Sequence, residues 1–262
     1  MLSLLLLSTP PSNPTLLAPQ FRPSRKDQIQ LGKRAANEIR QKEAGKVLPA
    51  SDPRVKMLRR IAGRILATFK DKTDTWEYSF DMIDSKEVNA FALPGGPTFF
   101  YTGLVDKMKT EDELAAVIGH ELTHVRKEHW ASSYNESQKR NIAVSLLLIL
   151  TKANRSVQDL AGIATETLFD LPFSRGHELE ADRFGYDAMV TAKFNPQGMV
   201  DTFETLRALS TGGKPPEFLS THPDEKNRIN LIKKRITDAN KEWPKMVPIQ
   251  RPTKPKDQVE KG

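Results

Sequence analysis

Apolar and polar positions along this chain recur mostly with a helical period. After Ser51-Asp52-Pro53, a side-chain cap followed by proline, Val55, Leu58, Ile61, Ile65 and Phe69 return at three-to-four spacing and predict a helix. Residues 25–45 also read as helix. Trp76, Tyr78, Phe80 and Met82 then alternate with polar neighbours, the period of a half-buried strand. Residues 88–93 and 98–102 flank Pro94-Gly95-Gly96-Pro97, which predicts two strands around a turn. Thr110 with Glu113 reads as a capping box, opening a helix whose buried stripe is Leu114, Val117 and Ile118. Ser174 can cap a helix running to about Ala192. Asn195-Pro196 and His222-Pro223 look like later helix starts, with proline at the first helical position. The expectation is an α+β domain, mostly helical, with a small sheet.

The ends of the chain break this pattern. Residues 2–7 form a short apolar run before Ser8-Thr9-Pro10-Pro11-Ser12 and a proline-rich stretch. That resembles the hydrophobic and cleavage regions of a secretory signal, and predicts a periplasmic or secreted location. Residues 1–24 are therefore read as a signal-like or disordered segment, 25–242 as one domain, and 243–262 as a Pro/Lys-rich tail that builds no core. Residues 142–150 are the most apolar internal run, too short for the roughly twenty residues of a membrane helix. They are expected to form a core helix, with peripheral membrane or substrate contact as the alternative.

Composition narrows the chemistry. The absence of cysteine excludes disulfides, Cys-ligated zinc and a catalytic thiol. Net charge is +7, but the basic residues are scattered and no aromatic-interleaved basic motif appears, so nucleic acid is not an expected partner.

The candidate chemistry lies in His120-Glu121-Leu122-Thr123-His124. Residues four apart share a helix face, so the two imidazoles can reach one metal, with Glu121 beside them to take a proton from an activated water. A catalytic zinc takes three protein ligands, so a third must come from elsewhere. Glycine at 127 and histidine at 130 would complete a metzincin pattern; the chain has Lys127 and Trp130, and His129 is one residue off, at another azimuth. The better source is Ser174-Arg175-Gly176-His177-Glu178-Leu179-Glu180-Ala181-Asp182. Glu178 and Asp182 share a helix face, so one carboxylate can bind zinc while the other orients a histidine. Ala181 and Gly185 are small enough to let that helix pack closely on its neighbour.

Together with Asn89-Ala90-Phe91-Ala92-Leu93-Pro94-Gly95-Gly96, Tyr101-Thr102-Gly103-Leu104 and Ser220-Thr221-His222-Pro223, these motifs resemble the gluzincin metallopeptidases that include the CAAX prenyl protease and the HtpX heat-shock protease. The resemblance covers roughly residues 25–238. It implies a zincin-type domain with its sheet beside the HExxH helix. One Zn2+ would be bound by His120, His124 and Glu178, with Glu121 as base and Asp182 as a supporting functional residue. Glu180 could physically serve as ligand, but the family pattern favours the glutamate four before the aspartate. Arg175 and His222 are both candidates for stabilising the oxyanion, and His222 could instead occupy the metal's open position. The expected function is zinc-dependent endopeptidase action on unfolded or damaged exported polypeptides, which could pair with the strand around 88–93 by β-strand addition. The rival is a zinc-stabilised chaperone or assembly factor. The long hydrophobic spans of integral-membrane relatives are missing, which argues against prenyl-protein substrates.

Overall fold

The computed structural model describes residues 22–69, 75–145, 173–211, 215–223 and 226–251, with backbone alone at 138–145 and 226. Two helices, α1 (Arg25–Lys42) and α2 (Pro53–Leu66), precede strands β1 (Ser79–Ile83), β2 (Ala90–Ala92) and β3 (Pro97–Tyr101). A single turn, α3 (Thr102–Val105), leads to α4 (Glu111–Arg126) and α5 (His129–Ser145). After residue 172 come α6 (Arg175–Thr191), α7 (Gln197–Ser210), the short α8 (Phe218–Thr221) and α9 (Lys226–Asp238). The expected mostly helical α+β class with a small sheet is the one observed.

Local signals explain most boundaries. Asp52 accepts a hydrogen bond from Arg54 N at the start of α2, and Pro53 occupies the first turn. Val55, Leu58, Ile61 and Ile65 are fully buried as their spacing requires, although the helix ends before Phe69. Ser24 and Asp27 cap each other at α1. At α4 the Thr110 hydroxyl accepts from Glu113 N, but the Glu113 carboxylate accepts from Lys109 N at 3.0 Å, one residue before the expected position.

Strand order is β1-β3-β2, with β1 parallel and β2 antiparallel to β3. The turn joining β2 to β3 uses Gly95 and Gly96 at φ 86° and 125°, where a side chain would be strained. β2 is an edge strand of this sheet and lies against α4.

Helix α4 is the centre of the molecule. Every residue from Glu111 to Val125 is buried, between α2, β2, α6 and α7. So central a helix has no solvated polar face, and its polar groups need partners. Asp112 accepts from Asn195 N at 2.7 Å and Val247 N at 2.8 Å, and Glu111 pairs with Arg60. The close packing with α6 rests on two glycines. A Cβ at Gly185 would stand 3.0 Å from His120 N, and one at Gly119 3.1 Å from Gly185 O.

Three expectations change. Residues 243–251, expected to build no core, run along the start of α4: Glu111 N donates to Val247 O at 2.7 Å, and Trp243 and Ile249 pack on the core. Unpaired N–H groups at a helix start need acceptors, and this segment supplies them. Pro196 caps α7 rather than opening it, with Asn195 Oδ1 accepting from Gln197 N. His222 ends α8, donating its N–H to Phe218 O, so it terminates a helical turn instead of starting one. Of the apolar run, residues 146–150 lie outside the described residues, as do residues 1–21; residues 142–145 are the last turn of α5. No helix among the described residues is long and apolar enough to cross a membrane.

Gly185→Val should overpack the α4–α6 contact and cost about 1–3 kcal/mol. Urea unfolding of the full chain measures this as a lower midpoint. An unchanged midpoint would show that the two backbones do not meet there.

Candidate metal centre

One turn of α4 carries His120, Glu121 and His124, and the facing turn of α6 carries Glu178 and Asp182. The glycine contact between the helices brings these turns together. The third contribution is His222, fully buried after α8. His120, His124, Glu178 and His222 each offer one atom, all within 4.8 Å of one another. His120 Nε2 is 3.0 Å from His124 Nε2 and 3.2 Å from His222 Nδ1. Glu178 oxygens stand 3.5 Å from His120 Nε2, 3.4 Å from His124 Nε2 and 3.1 Å from His222 Nδ1. Four donors about 2 Å from a tetrahedral Zn2+ stand about 3.3 Å from one another. The separations among His120, His124 and Glu178 fit that ion, while the set with His222 closes only to within 4.8 Å.

Behind these groups lies a buried charge network. Asp182 Oδ1 accepts from His120 Nδ1 at 3.0 Å, which turns Nε2 of that ring towards the cluster. Arg228, 2% exposed, donates from Nε and Nη2 to the two Asp182 oxygens, each at 2.7 Å. Its Nη1 lies 2.6 Å from Glu178 Oε2 and donates to Pro223 O at 3.0 Å. Sequence reasoning missed this arginine. It sits among Ile229, Ile232 and Lys233 in an ordinary amphipathic pattern, with nothing local to mark it as buried.

Burial and charge balance shift five of these groups. Burial alone would lower the His120 pKa, but Glu178 and Asp182 outweigh it and raise it to about 9. The pocket thus favours a cation at the place where the imidazoles converge. His124 is pushed well below the usual range by burial and then by positive charge on His120. Despite burial, His222 and His120 hold Glu178 far below the ordinary carboxylate range. Asp182 is likewise lowered against burial, by Arg228 and then His120. Glu121 moves the other way: burial raises its pKa, against the pull of His222 and His120.

Glu121 is anchored by one oxygen, with Oε2 accepting from Ala92 N of the edge strand at 2.9 Å. The other, Oε1, is buried without a hydrogen-bond donor among the described residues and faces His222 Nε2 at 3.3 Å. Phe173 stacks on the His124 ring with centroids 3.9 Å apart, and Phe218 stacks on His222 at 4.5 Å. Of the residues picked out from the sequence, the fold unites His120, Glu121, His124, Glu178, Asp182 and His222. Arg175 lies exposed at the first position of α6, and the guanidinium within the network is that of Arg228. Glu180 faces the opposite side of His124, near His129 and Lys127.

Comparison with known proteins finds metallopeptidase relatives. The mitochondrial metalloendopeptidase OMA1 of Schizosaccharomyces pombe is 33% identical over 210 residues, 78% of this chain and 60% of that protein. The beta-barrel assembly-enhancing protease of Yersinia pestis is 30% identical over 181 residues, 63% and 37% of the two chains. The mitochondrial metalloendopeptidase OMA1 of Arabidopsis thaliana is 34% identical over 159 residues, 60% and 31%. This chain thus spans between 31% and 60% of the lengths of these relatives. The family model for peptidase family M48 matches residues 52–236, from the first turn of α2 to the last turn of α9. With the HExxH helix, its facing carboxylates and that match, the chain belongs to peptidase family M48.

Proposed function

We propose that this chain is a zinc-dependent endopeptidase that holds one Zn2+ through His120, His124 and Glu178 and cleaves unfolded or damaged exported polypeptides. The observation that carries the reading is Glu121, a buried carboxylate anchored by one oxygen with the other facing the donor cluster. A zinc-stabilised chaperone or assembly factor needs the imidazoles but has no use for that carboxylate.

Bound Zn2+ would supply Lewis acidity, activating water and polarising the scissile carbonyl. Glu121 Oε1 takes the proton as water adds to the carbonyl carbon, then delivers it to the amine as the C–N bond breaks. Asp182 fixes the ring of His120, and Arg228 neutralises the carboxylates so that the centre is not overloaded with negative charge. Substrate recognition through the edge strand is supported by β2, which pairs only with β3 among the described strands and turns its Ala92 N–H to the base. Such pairing reads backbone rather than side chains, which suits unfolded chains.

His222 is best read as a plug. Its Nδ1 stands among the zinc donors and its Nε2 faces Glu121 Oε1, so its ring fills the space between ligands and base. Four protein donors make a closed site, whereas catalysis needs an open position. The resting centre is closed by this loop and opens when His222 moves away. Arg228, hydrogen-bonded to Pro223 O, ties the loop to the charge network.

For location, the apolar run at residues 2–7 supports export. The relatives' names include a mitochondrial protease, so fractionation of the tagged full chain is the check. Recovery from mitochondria or from cytosol would overturn export.

The principal test combines metal analysis with cleavage of unfolded casein. Wild type and Glu121→Gln should each carry one zinc, and the variant should lose at least about a hundredfold in activity. Residual activity within tenfold of wild type, at about tenfold or less loss, would remove Glu121 as the base. Under the same conditions Glu178→Ala should lose its zinc far more readily than Glu180→Ala; the reverse would reassign the ligand.

His222→Ala should raise turnover of unfolded substrates at unchanged zinc content. A loss of about a hundredfold would make His222 a transition-state donor instead. Unchanged kinetics with a lower melting temperature would reduce it to a structural residue.

A further inference from the structure

The two zinc-binding imidazoles of α4 are supported differently. Behind His120 stands a carboxylate, Asp182. Behind His124 stands another histidine: His124 Nδ1 is 3.0 Å from His129 Nδ1. The second nitrogen of His129 is 3.1 Å from Glu180 Oε2, and Lys127 Nζ is 3.2 Å from the other Glu180 oxygen. His129 is 2% exposed, whereas the Glu180 side chain is 40% exposed. A chain of polar contacts thus runs from the buried cluster to the surface.

A straight helix would not place His129 there. Five residues at 3.6 per turn put position 129 about 140° away from position 124. The backbone changes direction instead: α4 ends at Arg126, Glu128 takes a left-handed φ of 55°, and α5 begins at His129. Left-handed backbone is unfavourable for glutamate, so the turn needs outside support. It comes from the start of α1, where Arg25 Nε and Gln28 Nε2 donate to the Glu128 carboxylate at 3.1 and 3.2 Å. Arg22 adds an ion pair at 3.3 Å.

We propose that His129 and Glu180 are positioning residues for the metal ligand His124, forming an imidazole–imidazole–carboxylate relay that fixes its ring and tautomer. The proposal rests on the zinc reading above. The hydrogen count follows from the contacts. With Nε2 of His124 committed to the metal, the neutral ring carries its proton on Nδ1 and donates it to His129 Nδ1. His129 therefore accepts on Nδ1, carries its own proton on Nε2, and donates that to Glu180. Each nitrogen has one role, and only this arrangement leaves no two donors or two acceptors face to face. Glu180 thereby has a function distinct from ligation.

Two measurements test the relay. In 1H–15N spectra of the imidazoles in the zinc-loaded full chain, His124 should be the Nδ1–H tautomer and His129 the Nε2–H tautomer. An Nδ1–H tautomer at His129 would overturn the proposal, whatever happens in the variants. The second measurement is Co2+ affinity, followed through its visible absorption. His129→Phe keeps an aromatic ring but cannot accept, and should weaken affinity about 10–100-fold. His129→Asn, whose amide oxygen can accept from His124, should recover most of that loss. A purely structural role for the ring would give the opposite order.

Should His129→Phe fail to fold, the partly exposed Glu180 carries the comparison: Glu180→Leu should weaken Co2+ binding and Glu180→Gln should not. Wild-type affinity in both His129→Phe and Glu180→Leu would refute the relay while leaving the metal reading intact. No Co2+ or Zn2+ binding by wild type would refute the metal reading itself, and the relay with it.

Discussion

The approach of two helix backbones at Gly119 and Gly185 sets the distance on which the centre depends. His120 and His124 project from one side of that contact, and Glu178 and Asp182 from the other. A side chain at either glycine would push the helices apart and widen the gap between the two histidines and the two carboxylates. Metal ligation tolerates errors of only about 0.2 Å in bond length, so the two glycines act on chemistry as much as on packing. Enclosure of α4 on every side then keeps the helix from shifting to relieve strain.

The enclosure creates an electrostatic problem that the rest of the site answers. Glu121, Glu178 and Asp182 are all buried beside imidazoles. Carboxylates taken from water are costly unless paired, and removing one partner of a buried pair is more costly still. Arg228 meets two of them from a helix that starts after the His222 loop. The raised pKa of His120 shows that one arginine does not exhaust the negative field. The remaining space suits a metal cation, because several buried donors converge on it. His222 lies in the same region, within 3.1 Å of Glu178 and 3.3 Å of Glu121.

Segments far apart in sequence meet at the ends of α4. At its start, residues 243–251 satisfy helix N–H groups and Asp112. At its end, Arg22 before α1 and Arg25 and Gln28 within it hold the Glu128 turn. Both contacts immobilise the helix that carries the histidines. The core is therefore organised around the site, and stability and ligand geometry draw on the same contacts.

The sequence by itself determined what depends on neighbours along the chain. Helix period, the caps at Asp52 and Ser174, the glycine turn and the i, i+4 pairs His120/His124 and Glu178/Asp182 are local, so spacing reveals them. The resemblance carried by five motifs then pointed to the family. Tertiary structure decided what depends on direction. Arg228 reads as one more cation on an amphipathic helix until α9 turns it inward between two carboxylates. His129 reads as misplaced until a left-handed residue bends the chain and brings its ring against His124. The tail at 243–251 lacks the apolar density of a core segment, yet the unsatisfied start of α4 draws it in. Burial and unpaired backbone groups are properties of the assembled fold, and no local pattern encodes them.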